Sequence, residues 1–507
     1  MIPTGYMAMS SNQTVDDELL NRNAPDDETC DNDELIPSSS QCTLRSVIPT
    51  LIISILLGLV SGTAYGFGRY ARTLKEILGV SQSQVQTLGI FMDCGNYVGH
   101  PVVGIIYDRK GPVVSCLLGA LIAFLSYWKI RWILLNHHSD DGILWLQLAF
   151  FGVGFSSGLG YIAGLGSATK ALLRLSSANY FGTGIGLVAA GCGLSSTLVG
   201  LSYQHLPNLP SFFYFWALIV PVVNIGAAAM FHIQASYTNK LFIAQSAEAN
   251  GPTMEEAGHL ICSPTIETTE AQASQPSNNM EDESTDESSI TLLGPWESWK
   301  KLEFWLLFAS FSCATGCGLF VINNLSTMVQ SMGGSDSLAG SLVIVLSISN
   351  VGGRILMGMI GDYAASSDES SPSLPRIRLL QAVNQTMALA MILAFVGGQQ
   401  RVCMIGVVVV VALAYGSAWV LIVALTPQLF GKDNFGKDYG LMALGPAISG
   451  MVFNQASAKW YEQHASNNTC IGRECYGTAY LASMTVALMG VIITGILHKL
   501  QRQKDQR

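Results

Sequence analysis

Charged residues are scarce in this sequence. Asp, Glu, Lys and Arg make up 12% of its 507 residues, while half of the residues are hydrophobic and 51 are glycine. This composition excludes the soluble chain of about three domains that the length alone would suggest. A basic stripe interleaved with aromatic residues is also missing, so we expect no nucleic-acid partner. The net charge of −9 belongs mostly to two polar stretches.

Patterns typical of metal sites and enzymes are missing as well. The 11 cysteines are scattered, with no Cys-x-x-Cys pair and no Cys/His cluster of zinc spacing. No nucleotide loop and no nucleophile–base constellation stands out, so the sequence predicts neither an enzyme nor a cofactor nor a resident metal. The N-terminal stretch is acidic and lacks a basic region followed by an apolar one, so no cleavable signal peptide is expected.

Long apolar runs are abundant. A bilayer core needs about 20 mostly apolar residues per helix, and twelve segments reach this length. They are predicted at 47–68, 85–107, 113–135, 143–168, 181–204, 211–233, 303–327, 338–360, 378–397, 402–426, 438–458 and 477–498. The predicted fold class is therefore an all-α membrane protein with twelve transmembrane helices.

Polar stretches divide the chain into regions. The stretch between the sixth and seventh segments is rich in Glu, Asp, Ser and Thr and has too few apolar groups to fold. The predicted organisation is a disordered cytosolic tail (1–45), an N-terminal six-helix half (46–233), a disordered acidic cytosolic linker (234–301), a C-terminal six-helix half (302–498) and a basic cytosolic tail (499–507).

Lys and Arg residues set the expected orientation. About two thirds of them fall on the side of the membrane that holds the N-terminus, which predicts that both termini are cytosolic. Asn467 then begins a glycosylation sequon in the last outer loop, beside Cys470 and Cys475. The short spacing of these cysteines on an oxidising side favours a disulfide, although a sequon and a cysteine pair also arise by chance.

A spaced motif occurs twice, in the second helix of each predicted half. Both copies read Asn-x-x-Gly-x-x-x-x-Gly-x-x-x-Asp. Each position of the second copy lies 254 residues after the same position of the first. The copies are Asn96, Gly99, Gly104 and Asp108, and Asn350, Gly353, Gly358 and Asp362. The repeat predicts two parallel six-helix halves related by an axis along the membrane normal, which resembles the organisation of major facilitator transporters.

The loop at 104–111 resembles the cytosolic signature loop of the major facilitator superfamily. Its glycine would let a neighbouring helix approach, and its aspartate would bond backbone groups or a cation to close a cytosolic gate. The predicted gate comprises Gly104, Asp108, Arg109, Gly358 and Asp362. A hydrophilic turn that merely obeys the positive-inside rule is the alternative.

Ionisable residues inside apolar segments are costly and indicate function by default. Arg354 lies deep in the eighth segment, one turn after Asn350, and Arg69 closes the first segment. A guanidinium can hold a carboxylate bidentately, so Arg354, Asn350 and Arg69 are candidates for binding an anion. The alternatives are an internal ion pair of Arg354 with Asp93 and a snorkelling role for Arg69.

Asp93 and His100 are the candidates for coupling a proton. With Asn96 they lie at spacings of three and four, which predicts one shared face of the second helix. His100 is also the repeat counterpart of Arg354, and a role in helix packing is its alternative. Further candidates for lining a polar pathway, or else for joining helices, are Asn323, Asn324 and Tyr415.

Several stretches resemble the nodulin-like branch of the major facilitator superfamily. They are Tyr65–Ile77, Phe91–Gly99, Gly318–Leu325, Tyr415–Trp419 and Leu429–Gly431. The resemblance spans both halves and omits only the N-terminal tail and the linker. It implies a secondary transporter that works by alternating access. We expect it to function as a monomer, with membrane lipid and a small-molecule or ion substrate as partners.

A more distant similarity is to monocarboxylate transporters. There a lysine in helix one and an Asp-x-x-x-Arg pair in helix eight bind the anion and its proton. Arg69 and Arg354 correspond to the two cations, but Asn350 stands in place of the aspartate and cannot titrate. The similarity implies a small organic anion such as a monocarboxylate, with Asp93 or His100 as the substitute proton carrier. A metal-ion carrier of the nodulin-like family and a non-transporting solute sensor are the alternatives.

The N-terminal tail carries a sorting pattern at 31–36 and a weaker second candidate at 16–20. The acids before Leu35 and Ile36 fit an acidic dileucine signal for vacuolar or lysosomal membranes, although such strings also arise by chance in acidic tails. The expected location is therefore either the plasma membrane or a vacuolar or lysosomal membrane.

Overall fold

The structure is a computed structural model that describes residues 39–62, 66–80, 82–136, 142–174, 180–249, 297–366, 371–465 and 470–506. The helices of the N-terminal half are α1 (Ser39–Ser61), α2 (Phe67–Leu78), α3 (Gln82–Asp93), α4 (His100–Asn136), α5 (Gly142–Leu172), α6 (Phe181–His205) and α7 (Leu209–Ala249). Those of the C-terminal half are α8 (Leu302–Ser331), α9 (Asp336–Ser366), α10 (Ser373–Gly397), α11 (Arg401–Phe430), α12 (Phe435–Met442), α13 (Leu444–His464) and α14 (Gly477–Asp505).

Twelve membrane crossings follow from these helices, as the sequence predicts. Within the described ranges, nine helical stretches are long and apolar enough to span a bilayer. One of them, Gln84–Asn136, holds two crossings because Gly111 turns the chain at a φ of 79°. The first and eleventh crossings are each broken into two shorter helices, α1 with α2 and α12 with α13.

The first predicted segment, 47–68, falls on two helices. It covers most of α1 and the first residues of α2, which runs on to Leu78. Near the end of α1, a Cβ on Gly62 would overlap the side chain of Ser195 on α6. The chain therefore packs closely against α6 at this point, and Arg69 lies in the first turn of α2.

The predicted polar regions are partly helical. α7 continues into the predicted linker 234–301 and is described as far as Ala249, along a run of good helix formers. The linker prediction is therefore wrong at its start. α14 likewise runs through most of the predicted tail 499–507 to Asp505, and α1 already begins at Ser39.

Glycine contacts and aromatic rings pack the N-terminal half. The second crossing lies directly against α5, where a Cβ on Gly95 or Gly154 would overlap the backbone of the facing helix. The outer part of this half is filled by large buried rings. They are Tyr70, Phe150, Phe212, Phe213 and Trp216. This packing holds the pathway-facing helices of the half as one unit.

Hydrogen bonding holds the loop before α14, which is predicted to lie on the outer side, against the C-terminal half. Cys470 and Cys475 form a disulfide, and the Tyr476 hydroxyl donates a hydrogen bond to Thr327 Oγ1 at 2.7 Å. Burial raises the pKa of Tyr476 to about 12, so this hydroxyl keeps its proton at physiological pH. The predicted glycosylation site, Asn467, lies outside the described residues.

Candidate functional site

The acids of the repeated motif lie where the two halves meet, on the side predicted to be cytosolic. The Asp108 carboxylate accepts hydrogen bonds from the amides of Gly436 at 2.9 Å and Lys437 at 2.8 Å. These amides belong to the first turn of α12, whose own N-cap residue Asn434 makes no side-chain bond. Asp108 thus caps α12 from the other half and meets the positive end of its dipole. The neighbouring Arg109 is exposed.

Asp362 makes the equivalent contact with α6. Its carboxylate accepts hydrogen bonds from the amides of Gly182 at 2.5 Å and Thr183 at 2.7 Å, and from the Thr183 hydroxyl at 2.8 Å. α6 likewise has no side-chain cap of its own. Arg376 adds a buried ion pair with Asp362 at 3.0 Å. Each half therefore supplies one acid that caps a helix of the other.

Glycines let the halves touch beside each acid. A Cβ on Gly436 would lie 2.6 Å from the carbonyl oxygen of Gly104, and a Cβ on Gly182 would lie 2.7 Å from that of Gly358. Real Cβ atoms do not approach oxygen so closely, so a larger residue would force the helices apart. The motif glycines are therefore close-contact positions, in agreement with the role expected for Gly104.

Sequence reasoning missed the glycines on the capped helices. Gly182 and Gly436 are also separated by 254 residues, the offset of the predicted motif, and so are Gly186 and Gly440. Both helices begin with Phe-Gly-x-x-x-Gly. The shared offset is the signal that identifies them, and the contacts at the two predicted gate acids are therefore related to each other.

Arg354 is buried at the junction of the halves, with 3% of its surface exposed. From α9 it donates through Nη1 to the Ala189 carbonyl of α6 at 2.8 Å, and through Nε to Asn350 Oδ1 at 3.2 Å. Tyr161 and Tyr415 occupy equivalent positions in the two halves, 254 residues apart, and both lie close enough to Arg354 to interact with its charge. The guanidinium therefore ties the two halves together among polar side chains.

Arg69 lies on α2, nearer the side predicted to be outer, and its side chain is exposed. A Cβ on Gly200 of α6 would lie 3.7 Å from its Nε, and a Cβ on Gly193 would lie 3.6 Å from the Nε of Arg354. Gly193 and Gly200 are two helical turns apart, so the arginines pack on one face of α6 at positions about 10 Å apart. Ser196 and Thr197 occupy the same face between them.

Asp93 and His100 do not share one environment, so the predicted common face is wrong. Asp93 is exposed and lies within electrostatic reach of Tyr415 on α11, across the pathway. His100 is only 4% exposed, and its Nδ1 is hydrogen-bonded to the Asn96 carbonyl of its own crossing. A π-helical turn at 94–98 lies between the two residues and changes the side-chain register.

The other predicted pathway residues divide into accessible and structural positions. Asn323 is exposed on α8, and it is the repeat counterpart of Arg69. Asn324 instead donates to Asn454 of α13 at 3.3 Å and so joins two helices of one half. Tyr415 is buried beside the junction of the halves. The structure thus brings Tyr415 to Arg354 and leaves Asn324 as a packing residue.

The residues predicted to bind the anion and couple the proton include two guanidinium groups, Arg354 and Arg69, and one carboxyl group, Asp93. Within the described ranges, no group of three or more His, Cys, Asp or Glu side chains is placed to hold a metal ion. The arrangement is suited to binding an anion.

Known protein families match each half of the chain. The family model described as Nodulin-like matches residues 49–249, and the model described as NFD4, C-terminal domain, matches residues 290–505. A "Probable transporter MCH1" of Candida albicans is 23% identical and covers 89% of this chain and 95% of its own length. The protein NUCLEAR FUSION DEFECTIVE 4 of Arabidopsis thaliana is 21% identical over 90% of both chains.

Solved structures share the fold. A bacterial homologue of the iron transporter ferroportin, in an outward-facing state, aligns with a TM-score of 0.59 at 11% identity over 89% of this chain and 99% of its own. The transporter FucP in its outward conformation aligns with a TM-score of 0.53 at 12% identity over the same shares. By the two family models and the relatives above, the chain belongs to the nodulin-like family of the major facilitator superfamily, and it is a membrane transporter of that superfamily.

Proposed function

We propose that this protein is a proton-coupled carrier of a small organic anion, such as a monocarboxylate, that works by alternating access. The observation that carries the proposal is the pair of arginines, Arg69 and Arg354, on one face of α6. Fixed positive charge attracts a carboxylate, and a guanidinium can hold both of its oxygens.

The cargo path follows α6 from the outer side inward. Arg69 is exposed and meets the anion first, whereas Arg354 lies deeper at the junction of the halves. Gly193 and Gly200 let α6 approach each guanidinium closely. The hydroxyls of Ser196 and Thr197 add hydrogen-bonding groups between the two charges. The anion thus moves from an entry position to a central one without leaving a polar surface.

Binding at Arg354 is coupled to the gate. In the described state, the Nη1 bond to the Ala189 carbonyl links α9 to α6. A cargo carboxylate competes for this donor, because hydrogen bonds between two ionised groups are stronger than those to a neutral carbonyl. Cargo binding thereby weakens one contact between the halves and favours release of the Asp108 and Asp362 caps, which opens the cytosolic side.

Asp93 is the proposed proton carrier. It is the exposed acid of the pathway and faces Tyr415, whereas His100 is buried with its Nδ1 already bonded. An ionised Asp93 repels an incoming carboxylate, and protonation removes that repulsion. Binding of the proton therefore favours binding of the anion. Asp93 thus takes the proton-carrying role that Asn350, which cannot titrate, is unable to perform.

Metal-ion cargo and a sensor role have less support. The ferroportin homologue shares only the fold at 11% identity, and two guanidinium groups in a pathway repel a cation. The paired gates on Asp108 and Asp362 suit a molecule that alternates between two states, as a carrier does. We propose a vacuolar or lysosomal location from the dileucine pattern at Leu35 and Ile36, which lies outside the described residues, with the plasma membrane as the alternative.

Ligand binding by the purified protein tests the cargo class. Short monocarboxylates should raise the unfolding temperature saturably, since a ligand that binds the native state stabilises it, whereas divalent metal ions should not. Arg69→Gln should weaken this stabilisation, and the exposed outer residue Arg401 provides the matched control Arg401→Gln. Stabilisation by metal ions alone would refute the proposed cargo.

A further inference from the structure

A groove outside the transport pathway opens at the outer end of the N-terminal half. This outer groove has a volume of about 350 Å³ and lies between the ends of α2, α3, α4 and α5. All of its lining residues belong to the N-terminal half, so it is separate from the junction where Arg354 lies. Its size falls within the range of about 300–1,000 Å³ that is typical of small-molecule pockets.

Lys129 supplies the charge of the outer groove. Its ammonium lies 4.5 Å from the ring centroid of Trp132 and 5.1 Å from that of Trp145. Lys129 forms no ion pair with another residue of the described ranges. The amide side chains of Gln84 and Asn136 belong to the same lining. The groove therefore presents a cation, held between two indoles, beside hydrogen-bonding groups.

Apolar side chains form the other wall of the outer groove. They are Leu78, Leu88, Ile133 and Leu146. Trp132 and Trp145 are 51% and 54% exposed, and tryptophan collects at the depth where the bilayer meets water. A lysine at this depth extends its ammonium toward the headgroup layer. The groove thus places a positive charge at the interface and an apolar wall next to it.

We propose that the outer groove binds a phospholipid of the outer leaflet, with the lipid phosphate against Lys129 and an acyl chain along the apolar wall. Phosphate complements the charge of Lys129, and the Trp132 and Trp145 rings already restrict the ammonium, so little freedom is lost on binding. The bound lipid joins the outer ends of α2, α3, α4 and α5, which carry Arg69 and Asp93 on the pathway side.

Native mass spectrometry of the full-length protein with defined lipids tests this site. The wild type should retain phosphatidylcholine and release diacylglycerol, which lacks the phosphate. Lys129→Met should lower phospholipid retention about tenfold because a bond to a charged group is lost, while Lys129→Arg should preserve it. Lys459→Met, at an exposed outer lysine of α13, is the control and should retain the lipid.

Three results would overturn the proposal. Equal retention by the wild type and Lys129→Met would show that the charge is not used. Equal retention of diacylglycerol would show an apolar groove without headgroup recognition, and displacement by millimolar inorganic phosphate would show a site for free anions. If Lys129→Met does not fold, the comparison of phosphatidylcholine with diacylglycerol on the wild type decides the question.

Discussion

The guanidinium of Arg354 can bind the cargo, and it also links the two halves, since its Nη1 donates a hydrogen bond to the Ala189 carbonyl. Arg354→Gln should raise the half-saturation concentration for a monocarboxylate about tenfold to a hundredfold, because a hydrogen bond to a charged group contributes about 1.5–3 kcal/mol. Initial uptake rates measure this constant. Arg378→Gln, at an exposed cytosolic arginine, is the control, and an unchanged constant in Arg354→Gln would contradict the cargo assignment.

Asp93 is the residue on which proton coupling depends. Asp93→Asn cannot ionise, so its uptake should lose its dependence on an imposed pH gradient while exchange of cargo for cargo continues. Parallel uptake and exchange assays separate the two effects. Asp433→Asn changes an exposed carboxylate outside the pathway and should behave as the wild type. If uptake by Asp93→Asn still depended on the pH gradient, a group other than Asp93 would be the proton carrier.

At the scale of elements, two helix N-termini are capped from the opposite half. Asp108→Asn and Asp362→Asn should each shift the molecule toward the cytosol-open state about fivefold, since a lost cap costs about 1 kcal/mol. Asp362→Asn should act more strongly, because Arg376 then stays buried without its ion pair. Distances between spin labels at the outer ends of α2 and α8 report the shift, and they should be unchanged in Asp433→Asn.

The glycines of the capped helices make a second test at this scale. A Cβ on Gly436 or Gly182 would lie within 2.8 Å of atoms of the other half, so Gly436→Ala and Gly182→Ala should weaken cytosolic closure by about 1–3 kcal/mol. The same label distances measure the effect. Gly406→Ala, where a Cβ meets open space on α11, is the control; equal behaviour of all three variants would contradict close contact as the reason for these glycines.

At the scale of the whole molecule, the crossings and the two-fold repeat were predictable, because apolar length and a fixed offset are properties of the sequence itself. The break before α2 and the π-helical turn after Asp93 were not, since they arise where helices pack against α6 and α5. Without the π-helical turn, the spacing predicts Asp93 on one face with His100. Local spacing therefore predicts the wrong face for Asp93, while the functional roles of Asp93 and Arg69 stay predictions.

The partners of the predicted gate acids show a different limit. Asp108 and Asp362 were recognised from their motif, but the motif does not say which backbone amides they bind. Gly182 and Gly436 share its offset, so the sequence alone could have predicted them. The contact of Arg354 with the Ala189 carbonyl could not be predicted, because every residue has a carbonyl and only the fold determines which one lies near Arg354.

We propose that this carrier moves a small organic anion together with a proton. Uptake of a labelled monocarboxylate into proteoliposomes that contain the purified protein, with and without an imposed pH gradient, tests it most directly. We expect saturable uptake that an inward proton gradient drives above equilibrium, with a half-saturation concentration that Arg354→Gln raises about tenfold to a hundredfold. Transport of a divalent metal ion with no uptake of any monocarboxylate would contradict it.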